Sequence, residues 1–465
     1  MQMFLGVKNF AKIEEAKICI DNYTLLVGQN NSGKTFLMQL VQGVNQKLLS
    51  LVDEDIIDII FQKSDNYDVY MIGKHNISNV IEYFNNKLNI SKEKIIYEIF
   101  GKNIDIEKLY IDLVLDQDDN YQIEILDTET LKYEMKENGE DSNFSYLEPL
   151  ISKLQSDVKV CVLSKISTFF ERDTICVTIS AAKRERSVEF LRGAFRDIMS
   201  LSSLFLPASR TGLLHLYRDY FANRADDAVS FKIMDDKVIE NKEENAGLTK
   251  PMYEFLRFLQ TYSEDEHAKN DYMEELRFFE ERIIEGHISV NKQGVFSYSS
   301  KDEQLGMPMY LASSMINEVA PMSLVLSNSR RYDCLIIDEI EASLHPEKQL
   351  ELVRFLNRLN NKKMKLIVST HSDTFVSKVN NLFLLSKRLS AKSQEQKSGI
   401  MQKFELNEAD LIKIEDLFVY EFVNQPNGKS IVKEIIPNEN GYQFDLFTSS
   451  ALQLYEEAIK LGEIQ

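Results

Sequence analysis

The run Gly28-Gln-Asn30-Asn31-Ser32-Gly33-Lys34-Thr35 constrains this chain more than any other, because a glycine-bracketed loop of that spacing functions between a strand and a helix. An apolar stretch, Tyr23 to Val27, precedes it, and a helix-like stretch, Thr35 to Val44, follows. The glycines let consecutive backbone N–H groups curl around phosphate oxygens, and the helix N-terminus adds about half a positive charge. Lys34 neutralises β- and γ-phosphates, and the Thr35 hydroxyl is placed to ligate Mg2+. The loop therefore predicts a nucleotide site.

Two distant segments fit the same site. Cys334-Leu-Ile-Ile-Asp338-Glu339 is a strand ending in two acids. At the strand end Asp338 can hold Mg2+ beside Thr35, and Glu339 can polarise an attacking water. Further on, Leu366-Ile-Val-Ser369-Thr370-His371-Ser372 ends a second apolar run in Thr-His. The order of phosphate loop, acidic strand and strand-Thr-His makes His371 a sensor imidazole, reaching either a γ-phosphate or the water that Glu339 holds.

Around these motifs the pattern predicts strands at Phe4–Lys8 and Lys17–Asp21, and helices at Leu49–Phe61 and Asn76–Phe100. The apolar runs Leu109–Leu115, Gln122–Leu126, Val158–Leu163 and Thr174–Ser180 read as one antiparallel sheet. Arg192 to Leu204 reads as helix, His287–Asn291 and Val295–Tyr298 as a hairpin, and 235–250 as a mobile polar stretch. Cys334–Ile337 and Leu366–Ser369, with the Pro346–Leu359 helix between them, imply a largely parallel sheet. The tail after about Ser390 alternates strand-like and helical pieces.

With 54 Lys+Arg against 73 Asp+Glu, the net charge of −19 argues against a surface that coats nucleic acid. The basic clusters Lys183-Arg184 with Arg186, Arg192 with Arg196, Arg330-Arg331, and Lys362-Lys363 with Lys365 read as solvated surface. Cys19, Cys161, Cys176 and Cys334 lie in apolar runs without metal-ligand spacing, which predicts buried thiols in a reducing compartment. No apolar run reaches the ~18 residues a membrane span needs, and no secretory leader is evident, so the expected location is the cytoplasm.

The combination resembles the ATPase heads of the ABC/SMC superfamily. Ile337-Asp338-Glu339-Ile-Glu341-Ala-Ser-Leu344-His345-Pro346 is similar to a stretch of the OLD-like class, which includes AriA-like and PtuA-like ATPase subunits of bacterial antiphage systems. The resemblance implies an α/β fold of the P-loop NTPase, ABC/SMC-head type: a mixed, mostly parallel sheet, an antiparallel β-lobe and helical insertions. It assigns 1–50, 106–212 and 286–390 to a discontinuous head, 51–105 and 213–285 to helical insertions, and 391–465 to a mixed α/β region packing on the head. It implies ATP and Mg2+ as ligands, with ATP hydrolysed between two copies of the chain.

In such heads a serine-bearing signature helix of one copy faces the γ-phosphate held by the other. Position by position it falls on Leu311-Ala-Ser313-Ser314-Met-Ile-Asn317-Glu318, with Met315 where the family has glycine. The D-loop falls on Glu341–Pro346, making His345 a structural or dimer-loop residue rather than a metal ligand, and Leu206-Pro-Ala-Ser209-Arg210 is similar to a segment near the nucleotide. Arg210 then contacts phosphate or a partner, or forms a surface salt bridge. About 80 residues follow His371 and its helix, fewer than a further nuclease domain needs. The implied role is a sensor or regulatory subunit, a homodimer or higher homo-oligomer that holds or activates a separate effector such as a nuclease. Its trigger would be a phage protein or nucleic acid. The alternatives are a RecF/SMC-like DNA-repair ATPase and a chain that is itself a nuclease; a transporter subunit lacks support because the Leu-Ser-Gly-Gly-Gln signature is missing.

Overall fold

The structure, a computed structural model, describes residues 1–62, 68–115, 120–129, 132, 158–166, 172–181, 187–199, 201–233, 247–291, 294–301, 306–444, 456–457 and 459–460. The basic cluster at 183–186 and most of the polar stretch at 235–250 lie outside them. The strands are β1 (Gln2–Phe10), β2 (Ile13–Cys19), β3 (Tyr23–Gly28), β4 (Phe61–Gln62), β5 (Asp68–Ile72), β6 (Lys108–Val114), β7 (Asn120–Asp127), β8 (Val158–Ile166) and β9 (Arg172–Ala181). They continue with β10 (Ser203–Leu206), β11 (Gly286–Val290), β12 (Phe296–Ser300), β13 (Met307–Pro308), β14 (Cys334–Ile337), β15 (Lys365–Thr370), β16 (Leu417–Asn424) and β17 (Ser430–Glu434). Contacts divide the chain into two compact units: Met1–Gly6, Val44–Ile95 and Lys108–Ser202 in one, Val7–Gly43, Ile96–Glu107 and Ser203–Gln465 in the other.

The first unit carries an antiparallel sheet in the order β4-β5-β7-β8-β9. Alternation puts Ile123 opposite Tyr70 on one side and Leu163 on the other. The run at Leu109–Leu115, expected in this sheet, lies instead beside β1 as β6. Its outer edge is closed by two asparagines one helical turn apart. Asn85 exchanges both backbone hydrogen bonds of Ile111 (3.0 and 2.7 Å), and Asn89 exchanges both of Leu109 (2.8 and 3.3 Å). Side chains spaced i, i+4 on the helix thus match backbone groups spaced i, i+2 on the strand, and the edge is blocked to other chains. The expected helix over Leu49–Phe61 is broken: one helix ends at Leu51, and the Asp53 side chain caps a short turn by accepting from the Asp55 N–H.

The second unit is built on strands in the order β10-β14-β15-β3-β16-β17-β2. The runs Leu25-Leu26-Val27, Cys334–Ile337 and Leu366–Val368 are fully buried, as strands covered on both faces must be. Pairing is parallel from β10 through β14, β15 and β3 to β16. Four strands therefore end together at Leu206, Ile337, Thr370 and Gly28, and the loops leaving that carboxyl edge build the site. Leu204, expected in a helix, lies inside the buried β10, which begins at Ser203; the helix before it is Ser187–Met199. The predicted hairpin is present as β11 and β12, paired from Gly286↔Ser300 to Val290↔Phe296.

The C-terminal stretch enters this sheet at its middle, since β16 pairs with β3 itself. Before it, Asp410 is locked onto the Pro346–Asn361 helix, accepting from Arg354 Nη2 at 2.8 Å and Arg358 Nε at 2.6 Å. Cys19, Cys161 and Cys334 are buried thiols outside any disulfide.

Candidate functional site

Gly28 ends β3 with φ +147°, and a Cβ there would lie 2.5 Å from the Phe422 carbonyl oxygen of β16. Gly33 has φ +98°, and its Cβ would meet Ile13 at 2.9 Å. Both glycines are thus required by backbone conformation and by close approach. Between them the loop turns through Asn31 at φ +58° into the helix that begins at Lys34. Asn424 of β16 donates to the Gln29 side chain at 3.0 Å, so the C-terminal hairpin braces the loop.

Lys34 is almost wholly buried beneath this arch. Its ammonium donates to the carbonyls of Gly28 (3.0 Å) and Gln29 (2.9 Å) and to Ser32 Oγ (3.3 Å). Burial lowers its pKa to about 8 against the pull of the Asp338, Glu339 and Glu341 carboxylates. Thr35 Oγ1 donates to Asp338 Oδ2 at 2.8 Å across 303 positions of sequence. Ser369 Oγ donates to Asp338 Oδ1 at 2.6 Å and accepts from the Glu339 N–H at 2.8 Å. Loops from β3, β14 and β15 are thereby joined.

Asp338 and Glu339 leave β14 in different directions. The Asp338 N–H donates to the Leu206 carbonyl of β10 (2.9 Å), while Glu339 takes a left-handed φ of +47°. For a non-glycine residue this conformation is costly, and it persists where surrounding contacts enforce it. Burial first, then the Asp338 and Glu341 carboxylates, hold Glu339 above the ordinary 4.5. His371 is half-buried; burial and the Lys34 charge keep its imidazole below 6.5, hence neutral at pH 7. The His371 N–H donates to Glu341 Oε1 at 2.5 Å.

One cavity of about 490 Å³ is lined by Asn30, Asn31, Ser32, Gly33, Lys34, Thr35, Asp338, Glu339 and His371, with Ala11, Lys12 and Phe36 beside them. Of the eleven residues expected to carry the site, nine line this cavity: the six from Asn30 to Thr35, with Asp338, Glu339 and His371; Ser313 and Ser314 lie elsewhere. Ser313 caps the Ser314–Leu326 helix by accepting from the Ile316 N–H, and both serines are exposed outside the cavity lining. His345 caps the Pro346–Asn361 helix through Nδ1.

Arg210 corrects the expectation of a phosphate contact or a surface salt bridge. It is 0% exposed. Its guanidinium donates to the carbonyls of Glu318 (2.9 Å), Pro207 (3.2 Å), Asp338 (2.7 Å) and Glu339 (3.2 Å). Nε also lies 3.0 Å from Glu318 Oε2, but its N–H is directed at the Glu318 carbonyl, so the carboxylate pairing is Coulombic. Arg210 thus holds the backbone of both acids from behind. Ser369 and Glu341 were not singled out from sequence as site residues; each stood inside a quoted motif, but only its contacts reveal its task.

The chain belongs to the AAA ATPase domain family, whose sequence model matches residues 1–376. A comparison with curated proteins finds no match. Among solved structures, the SMC head domain from Thermotoga maritima is similar at 12% identity, spanning 94% of this chain and 100% of its own, with a TM-score of 0.32. An Smc head domain with an extended coiled coil, bound to the C-terminal domain of ScpA derived from Pyrococcus furiosus, is similar at 11% identity over 98% of each chain, TM-score 0.32. Among the described residues no helix is long and apolar enough to cross a membrane.

Proposed function

We propose that the chain binds and hydrolyses ATP with Mg2+, acting as a dimer or higher oligomer of heads. The observation that carries this is the convergence of Lys34, Thr35, Asp338, Glu339 and His371 on one cavity from loops after three adjacent parallel strands. Lys34, which now donates to its own loop, would redirect its ammonium to the triphosphate. The Thr35 hydroxyl and Asp338 carboxylate form a hard oxygen pair that fits Mg2+, with Ser369 holding the second carboxylate oxygen. When bound there, Mg2+ would neutralise charge on the triphosphate. Glu339 is the group that accepts a proton from the attacking water. His371, neutral and beside it, can hydrogen-bond the γ-phosphate without adding charge to the general base.

Exposed Ser313 and Ser314 stand at a helix N-terminus whose first N–H groups can meet anionic oxygens, which supports their action on the nucleotide of a second copy. ATP would then favour the closed pair, and shifting such an equilibrium almost fully takes roughly 10⁴-fold preference, about 5.5 kcal/mol. The run Ile337–Pro346 supports the finer reading of a regulatory subunit in an antiphage system, gating a separate effector through the 51–105 and 213–285 regions.

The test is ATP turnover with Mg2+ by the wild type, Lys34→Ala and Glu339→Gln chains, with sedimentation in ATP. Turnover is expected in the wild type alone, with Glu339→Gln still binding ATP and trapped as a dimer. Turnover should also decline on acidification at a pH above 4.5, where the raised Glu339 protonates. A wild type that consumes no nucleotide refutes the reading. An effector recovered in equal yield with and without ATP refutes the gating.

A further inference from the structure

Phe36 follows Thr35 directly, yet it lines the cavity rather than the core and is 37% exposed. The open part of this ring is an apolar surface inside a cavity otherwise lined mostly by polar and charged groups. Its ring stacks on Phe100 with centroids 5.4 Å apart and planes 26° apart. Phe10, fully buried, meets Phe36 edge-on at 6.5 Å and Phe100 at 5.9 Å. Phe100 covers one side of Phe36, and its free surface belongs to the cavity. Next to it stand Ala11 and Lys12 in the turn between β1 and β2. The Ala11 N–H is spent on the Asp105 carbonyl, and Ala11 has no polar side-chain atom. The Lys12 ammonium lies 3.4 Å from the Asn31 carbonyl, at the rim of the phosphate loop.

We infer that Phe36 is the base platform of this site: the nucleobase stacks on its ring, and Lys12 meets the phosphate nearest the sugar. The inference rests on the nucleotide reading above and adds its mode of recognition, a nucleoside triphosphate held by the face of its base rather than by its hydrogen-bonding edge. Every base has a π-face, so stacking alone tolerates exchange of one base for another. Adenine and guanine should therefore both serve.

The experiment compares Phe36→Leu and Phe36→Tyr with the wild type. Binding of ATP, GTP and inorganic tripolyphosphate is measured by calorimetry, and KM and kcat for both nucleotides are measured alongside. Loss of one stacked base corresponds to a weakening of about 5- to 150-fold. Phe36→Leu should weaken ATP and GTP by that factor through KM, leave kcat near its original value, and leave tripolyphosphate within about twofold, since that probe has no base to stack. Phe36→Tyr keeps the ring and should behave as wild type. ATP and GTP should differ by less than about tenfold in kcat/KM, as expected where no buried polar group reads the base. Equal weakening of tripolyphosphate and ATP in Phe36→Leu would make the ring a mere support of the loop and overturn the inference. So would unchanged nucleotide binding in that variant, or a strong preference for one purine. A wild type that binds tripolyphosphate but loses nothing with Lys34→Ala fails the nucleotide site itself, a different result from failure at Phe36.

Discussion

Replacing Arg210 with methionine isolates how the two acids of the site are held. The guanidinium is fully buried, and its partner Glu318 is only 5% exposed. Burying a lone carboxylate is expensive, so breaking such a pair from one side costs about 3–5 kcal/mol. The Asp338 and Glu339 carbonyls also lose their donors. In Arg210→Met/Glu318→Gln the unpaired charge is gone, while the glutamine oxygen still accepts from the Thr211 N–H and hydroxyl, which now hydrogen-bond Glu318 Oε1. The double variant should therefore recover about 1–3 kcal/mol relative to Arg210→Met, the coupling expected of residues in direct contact. The chain has no tryptophan, so urea unfolding is best followed by far-UV circular dichroism, read as a shift in midpoint at constant slope. Nucleotide turnover should fall in both variants, because the backbone that carries Glu339 is released in both. An Arg210→Met chain within about 0.5 kcal/mol of wild type, or a double variant no more stable than the single, would refute the argument that the guanidinium neutralises Glu318.

Three further outcomes follow from the geometry. Lys34 has its pKa depressed to about 8, and a bound triphosphate raises it again; at pH 8 nucleotide binding should take up about half a proton, seen as buffer-dependent calorimetric enthalpy. No proton uptake would place the ammonium outside the phosphate contacts. For Asp410, burial would raise the pKa, but hydrogen bonds from Arg354, Arg358 and the Asn407 N–H hold it below its ordinary value. The stability it contributes is therefore present above pH ~4 and lost as pH falls through the depressed value, and Asp410→Asn should cost about 3–5 kcal/mol and remove that acid sensitivity. Asn85→Ala/Asn89→Ala strips the backbone partners from Leu109 and Ile111, so light scattering should show concentration-dependent association through the β6 edge; a stable monomer would count against that role.

What could be read in advance was local chemistry. Gly28, Gly33, Lys34 and Thr35 declare their arrangement because loop conformation, helix start and phosphate charge act within eight consecutive residues. The buried strands Cys334–Ile337 and Lys365–Thr370 declare themselves by unbroken apolar runs, and acids or a histidine at their ends fall at the carboxyl edge of the sheet. Strand order carries no such mark. That β16 lies against β3, or that β6 leaves the antiparallel sheet, depends on pairings between segments hundreds of positions apart or on an edge closed by asparagines.

The sequence by itself determined that a phosphate loop, an acidic strand end and a strand-Thr-His run exist, since each rests on neighbours along the chain. The tertiary structure alone decided that Thr35 and Ser369 share Asp338, that Arg210 serves the backbone of both acids instead of the surface, and that Phe36 looks into the cavity. The physical reason is burial. A charge or ring acquires its role from what excludes water around it, and that company is assembled only when distant strands meet.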